Sequence, residues 1–321
     1  MGRDGQNRVR HSRLSAAAGS APLVAVAHGS KDPRAAATIS QLLARTRLRA
    51  ASRDLAGIDV KAAFLDHCAP SLPQVLGALG ALDSVDSAAE CVVVPLLLTA
   101  AYHSKTDIPA RLAEARAAVP GLAARYAGTL GPHPLLLAAL ERRLAEADPG
   151  LAAGDRQRTS VVLAAAGSSD PRANATVAAL AARWQARGGW RRVVPAYASA
   201  AGPAPGEAVR ALRATVADGP VVVASYLLAP GYFADKIRAA ALEAGADVVS
   251  AVLGAAPEVA DVILDRYTEA RRDTAVARTP VGPELSVPIV ARAQLSRTYG
   301  GDSPVNSTPR AGTRTLAGRT A

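Results

Sequence analysis

Residues 26–39 read VAHGSKDPRAAATI, and residues 164–177 read AAAGSSDPRANATV. Few features constrain a fold more than a phrase written twice. The correspondence is collinear along the chain. His28-Gly29-Ser30-Lys31-Asp32-Pro33 faces Ala166-Gly167-Ser168-Ser169-Asp170-Pro171, and Phe64-Leu65-Asp66 faces Tyr197-Ala198-Ser199. PLLLTAAYH (95–103) faces SYLLAPGYF (225–233), which sets His103 opposite Phe233, and Leu130-Gly131 faces Leu253-Gly254. A period of about 130 residues is too long for a solenoid unit. It requires two similar domains.

Within each repeat, short continuous apolar runs alternate with Ala/Leu/Arg stretches of helical period. In the first, strands at 23–30 (ending in a turn), 59–66, 90–104 (a long central strand with its exit loop) and 125–131 alternate with helices at 34–51, 71–82 and 108–119. In the second, strands at 159–169, 191–199, 219–233 (the central strand with its exit loop) and 246–254 alternate with helices at 172–187, 206–217 and 236–245. Apolar strands separated by helices make a parallel sheet covered on both faces. The expected fold class is therefore α/β, two similar domains, each a parallel sheet flanked by helices. The expected boundaries are a disordered tail at 1–20, a first domain at 21–147, a linker at 148–158, a second domain at 159–271 and a disordered tail at 272–321. With only 3% aromatic residues, the core must consist mainly of Ala, Val and Leu.

The net charge of +10 suggests nucleic acid until it is placed along the chain. Residues 1–20 hold four Arg and one Asp, and residues 271–321 hold eight Arg and three acids, so only +2 falls on residues 21–270. A nucleic-acid footprint lies on the folded body, and no such partner is expected. Cys68 and Cys91 form neither a CxxC pair nor a disulfide framework. There is no signal-like hydrophobic segment and no apolar run of membrane-spanning length. A cytoplasmic monomer without membrane contact is the expectation.

Ligands of open parallel sheets bind beyond the carboxyl ends of the strands. His28, Asp66 and His103 each stand at such an end in the first repeat, and Ala166, Ser199 and Phe233 stand there in the second. Groups able to bind a divalent ion are thus present once and absent once. One half keeps the reactive groups, and the other keeps the fold and a wall of the cleft. The Gly29-Ser30 turn enters a helix, whose backbone N–H groups favour an anion. Neither GxGxxG nor GxxxxGK[ST] is in place, so no nucleotide or other organic cofactor is expected. Of four lysines in all, Lys31, Lys105 and Lys236 lie in or beside these loops. His67 and Cys68 read as surface and core residues, and His133 as a turn residue.

HGSKDP, AAFLDHCAPSL and VVPLLLTAAYHSKTDIP, taken in order, resemble the sirohydrochlorin chelatases of the CbiX/SirB type, the class II tetrapyrrole chelatases. The likeness covers roughly residues 21–270 and fits the long, two-domain form. It implies insertion of a divalent metal, Co²⁺ or Fe²⁺ and in principle Ni²⁺, into sirohydrochlorin on the way to cobalamin or sirohaem. It makes His28 and His103 the metal-binding and catalytic pair. It also puts Asp66 where the family commonly has Glu. Neutral imidazole suits these borderline ions, and an imidazole also takes a proton near neutral pH. Gly29, Ser30, Lys31, Arg34 and Lys105 are the candidates for holding the polycarboxylate substrate, and Pro230-Gly231-Tyr232-Phe233 would offer it an apolar face. The alternative is a protein that carries metal or tetrapyrrole without turnover.

Overall fold

The computed structural model describes residues 20–82, 90–100, 106–119, 121–152, 156–215 and 218–277. The expected catalytic His103, the expected substrate-binding Lys105 and both expected tails beyond Ser20 and Ala277 lie outside them.

The first repeat folds as β1 (Leu23–Ala27), α1 (Pro33–Ala51), β2 (Val60–Phe64), α2 (Leu72–Leu82), β3 (Glu90–Pro95), α3 (Ile108–Ala118), β4 (Ala123–Tyr126) and α4 (Pro134–Ala147). The second follows as β5 (Ser160–Ala165), α5 (Pro171–Gly188), β6 (Arg192–Tyr197), α6 (Pro205–Thr215), β7 (Val221–Tyr226), α7 (Tyr232–Glu243), β8 (Val248–Val249) and α8 (Pro257–Ala277). Each half has one four-stranded parallel sheet, ordered β2-β1-β3-β4 and β6-β5-β7-β8. The α/β class and the repeat are as the sequence predicts. Among the described residues, no helix is long and apolar enough to cross a membrane.

Strand β1 is buried along its whole length, and its side chains alternate between two cores. Val24 and Val26 point to an outer core with Leu72, Leu76, Ile108 and Leu112 of α2 and α3. Leu23, Ala25 and Ala27 point the other way, into a central core that also takes Val161, Leu163 and Ala165 of β5. One apolar interior therefore spans both sheets. It is rich in Ala, Val and Leu, with Trp184 and Tyr267 as its bulkiest fully buried members.

Two helices absent from the sequence reading complete this core, and each covers the other half. Helix α4 packs against β7 and β8, while α8 packs against α1, β3 and β4. Arg143 of α4 donates to the Leu253 carbonyl at 3.1 and 2.8 Å. At the same place in the other repeat, Arg266 of α8 donates to the Thr129 and Leu130 carbonyls at 2.7 and 3.3 Å. Tyr267 Oη of α8 donates to the Ala21 carbonyl at 2.7 Å, and Arg49 of α1 and Arg53, just past its end, both pair with Asp261 of α8.

Three further boundaries differ from expectation. Strand β8 is only two residues long: Ser250 N–H still donates to the Val223 carbonyl at 2.9 Å, but beyond it side chains take over, Ser250 Oγ accepting from Ser225 N–H at 3.1 Å and Ser225 Oγ donating to the Ser250 carbonyl at 3.0 Å. Helix α7 begins at Tyr232, so Tyr232 and Phe233 belong to a helix rather than to a loop. Helix α8 runs on to Ala277, with neither Gly nor Pro before Pro280 to stop it. His133 is the N-cap of α4, where its Nδ1 accepts from Leu135 N–H at 3.3 Å. Burial and nearby Arg266 lower its pKa below the usual histidine value, which favours this neutral acceptor form.

A fully buried residue of an exchanged helix should hold both halves at once. Ile263→Ala is expected to cost about 2–5 kcal/mol and to lower a single thermal unfolding transition for the whole chain. A melt in two steps, with the second half unaffected, would contradict a shared core.

Candidate functional site

The carboxyl ends of β1, β2 and β3 lie side by side, with β1 in the middle. His28 follows β1 directly. The chain then turns through Gly29, whose φ of 93° favours glycine. A Cβ at Gly29 would stand 1.8 Å from the Asp66 carbonyl oxygen, so this turn and the exit of β2 touch backbone to backbone. Asp66 N–H donates to the His28 carbonyl at 2.9 Å. Ser30 Oγ accepts from Asp32 N–H at 3.1 Å, and Asp32 caps α1 by accepting from Arg34 N–H at 2.9 Å.

The second half repeats this frame atom by atom. Ser199 N–H donates to the Ala166 carbonyl at 2.9 Å, and a Cβ at Gly167 would stand 1.9 Å from the Ser199 carbonyl oxygen. Ser168 Oγ accepts from Asp170 N–H at 3.1 Å, and Asp170 caps α5 through Arg172 N–H at 2.9 Å. The two turns also differ. Asn174 closes the second one, accepting from Ser168 N–H at 3.0 Å and donating to the Ser168 carbonyl at 2.7 Å. Ala36 occupies the matching place in the first half and has no group to do this.

A cavity of about 430 Å³ opens on the His28 turn. His28, Lys31, His67 and Cys68 line it from the first half, and Pro230 and Phe233 from the second. A smaller cavity of about 200 Å³ is its pseudosymmetric counterpart, with Ala166, Ser168 and Asn174 facing Leu98 and Thr99 of the first half. Each cleft is thus built from the glycine turn of one half and the central-strand exit of the other.

The site residues expected from sequence fare differently. His28, Gly29, Ser30 and Lys31 lie on the large cavity. Asp66 stands beside His28 by backbone, but its side chain is 60% exposed and is not among the described residues lining the cavity. Its carboxylate accepts from His67 N–H at 2.9 Å and lies 3.4 Å from His67 Nε2. Arg34 is also off the cavity wall. Its guanidinium pairs at 2.6 Å with both Asp32 and Asp235 of α7. These two carboxylates raise its pKa above its ordinary value, chiefly through the hydrogen bonds it donates to Asp32 and then to Asp235. Lys236 donates to the Ala198 carbonyl at 2.7 Å, inside its own half. Sequence reasoning set His67 and Cys68 aside, yet both line the cavity, with Cys68 Sγ 3.3 Å from the Ser30 carbonyl. The signal that would have found them is their pairing with Ala200 and Ala201 in the repeat. Cys91 is inert by contrast, its thiol pushed up to about 11 by burial.

Among the described residues, no three His, Cys, Asp or Glu side chains converge as a ready metal site. The described part of the cavity therefore supplies two imidazoles, a thiol, a lysine and an apolar wall.

Comparison with known proteins gives a consistent result. The CbiX family model matches residues 22–147 and again residues 160–270. The chain is 32% identical over 150 residues to a sirohydrochlorin cobaltochelatase of Priestia megaterium, covering 46% of this chain and 45% of that protein. It thus spans less than half of that relative's length. A sirohydrochlorin ferrochelatase of Priestia megaterium is 26% identical over 200 residues, covering 58% of this chain and 73% of that one. Among solved structures, SirB from Bacillus subtilis with Fe³⁺ superposes with a TM-score of 0.63 at 23% identity, over 79% of this chain and 97% of that one. That likeness speaks for the fold.

Adding a methyl group tests the close approach at the turn. Gly57→Ala, at a φ of 80° with nothing within 4 Å, should lose only the roughly 1–2 kcal/mol of a left-handed alanine. Gly29→Ala should lose clearly more, because the methyl meets the Asp66 carbonyl. Equal losses in chemical denaturation would refute the backbone contact.

Proposed function

The chain belongs to the CbiX family, and from that premise we propose that it inserts a divalent metal ion, Co²⁺ or Fe²⁺, into sirohydrochlorin with release of two protons. The observation that carries this reading is a large cavity lined by His28 in the repeat that keeps its chemical groups, opposite an apolar wall from the repeat that has lost them. The curated relatives are named for both metals, and imidazole binding follows affinity trends that do not separate them.

In this reading residues 21–147 form the reacting domain and residues 159–271 its partner. His28 and His103 bind the incoming ion and present it to one face of the macrocycle. His28 leaves β1 and His103 follows β3, strands that are neighbours in the sheet, which supports their acting together. Lys31 and the Ser30 turn hold the substrate's carboxylates from the first half, and Lys105 is a further candidate for that role. Pro230 and Phe233 lie against the macrocycle and keep water from it. Two pyrrole protons leave, and one of the histidines His28 and His103, helped by Asp66 at the exit of β2, accepts one of them. Metal and tetrapyrrole are both substrates here, and no organic cofactor enters. The chain acts as a cytoplasmic monomer, with neither membrane nor nucleic acid as a partner.

An anaerobic insertion assay followed by visible absorption tests the reading. The wild-type protein with sirohydrochlorin and Co²⁺ or Fe²⁺ should insert metal well above the rate without enzyme. His28→Ala and His103→Ala should each lower that rate by about 100-fold or more. Stoichiometric binding of tetrapyrrole with no rate above background would identify a carrier instead.

A further inference from the structure

We infer that His67, held by Asp66, is the group that accepts a pyrrole proton during insertion; the inference rests on the proposed chelatase reading. Three observations converge on it. First, His67 lines the large cavity and the carboxylate of Asp66 does not. Second, Asp66 Oδ1 accepts the backbone N–H of His67 at 2.9 Å, and this places Asp66 Oδ2 3.4 Å from the imidazole Nε2 of His67. The carboxylate is thus turned onto its neighbour, as in sites where an acid orients an imidazole. Third, the repeat separates fold from chemistry at this position. His67 has a left-handed backbone, φ 58°, and Ala200 has the same conformation in the second half, φ 59°. Cys68 N–H donates to the Asp66 carbonyl at 2.7 Å, and Ala201 N–H donates to the Ser199 carbonyl at 2.8 Å. The turn therefore needs no histidine. Like His28, His67 is present where the chemical groups are kept and replaced by alanine where they are lost.

The arrangement assigns the step. In this assignment Nε2, the nitrogen nearest the carboxylate, carries the ring hydrogen and Nδ1 the lone pair. It takes one macrocyclic N–H proton, the pyrrole nitrogen keeps the electron pair of that bond, and this pair forms the bond to the metal. The imidazolium, stabilised by Asp66, then passes its proton to water. Asp66 acts through His67 as a positioning residue. This arrangement also accommodates the short acid, since the imidazole occupies the wall that the aspartate does not reach.

Steady-state insertion of Co²⁺ into sirohydrochlorin tests the inference. His67→Ala should fold as wild type does, since Ala200 already adopts this backbone. It should lower kcat by about 100-fold and leave KM for the tetrapyrrole within about twofold. His67→Gln, which cannot take the proton, should lose as much. Added imidazole should restore part of the rate to His67→Ala and none to His67→Gln, whose side chain fills the space. Asp66→Asn should lower kcat in wild type but add little to His67→Ala, because groups acting as a unit are not additive. Wild-type kcat in His67→Ala, or a loss confined to KM, overturns the inference and leaves the chelatase reading intact. A wild-type protein that shows no turnover overturns both.

Discussion

The structure depends on an exchange of helices. A parallel sheet with one face bare is not stable in water, and here each inner face is closed by the terminal helix of the other half. Arg143 reaches the Leu253 carbonyl, and Arg266 reaches Leu130 and Thr129, so the two crossings are fastened by the same residue type at the same place in the repeat. Because α4 and α8 bury their apolar faces in the central core, separating the halves would expose that core. Both clefts lie where the strand ends of one half meet those of the other, so their walls are fixed by the same exchange. Tyr226 Oη, which donates to the Leu98 carbonyl at 3.1 Å, ties the two central-strand exits together at that seam.

Duplication within one chain lets fold and chemistry be told apart residue by residue. What both halves keep is what the backbone requires: the glycine turn against the β2 or β6 exit, the serine and aspartate that open the helix, and the left-handed residue after Asp66 or Ser199. What only the first half keeps is titratable: His28, Asp66, His67 and Cys68 against Ala166, Ser199, Ala200 and Ala201. The second half has also closed its turn with Asn174, which accepts from the Ser168 amide. Its contribution passes to the other cavity, where Pro230 and Phe233 form a wall.

Much of this was legible in the sequence, and the rest has identifiable reasons. The repeat aligned His28, Asp66 and the glycine turn correctly, because strand ends carry strong local signals. Helices α4 and α8 were missed, their Ala/Leu/Arg runs merging with the linker and the tail. Even a correct helix assignment would not have revealed the exchange, since periodicity gives an apolar face but not its partner. Arg34 read as available for substrate because Asp235, its second partner, lies 201 residues away. Asp66 and His67 were ranked by residue type, whereas side-chain direction decides between them. His103 and Lys105 fall outside the described residues: the role of His103 rests on resemblance and on the order of β1 and β3, and that of Lys105 on its place in the sequence.

The central claim is that one half reacts and the other only shapes the cleft. A titration of the wild-type chain with Co²⁺, read by visible absorption and calorimetry, tests it most directly. The account predicts a single bound ion per chain, lost in His28→Ala. Two equivalent ions per chain, or one that survives His28→Ala, would contradict it.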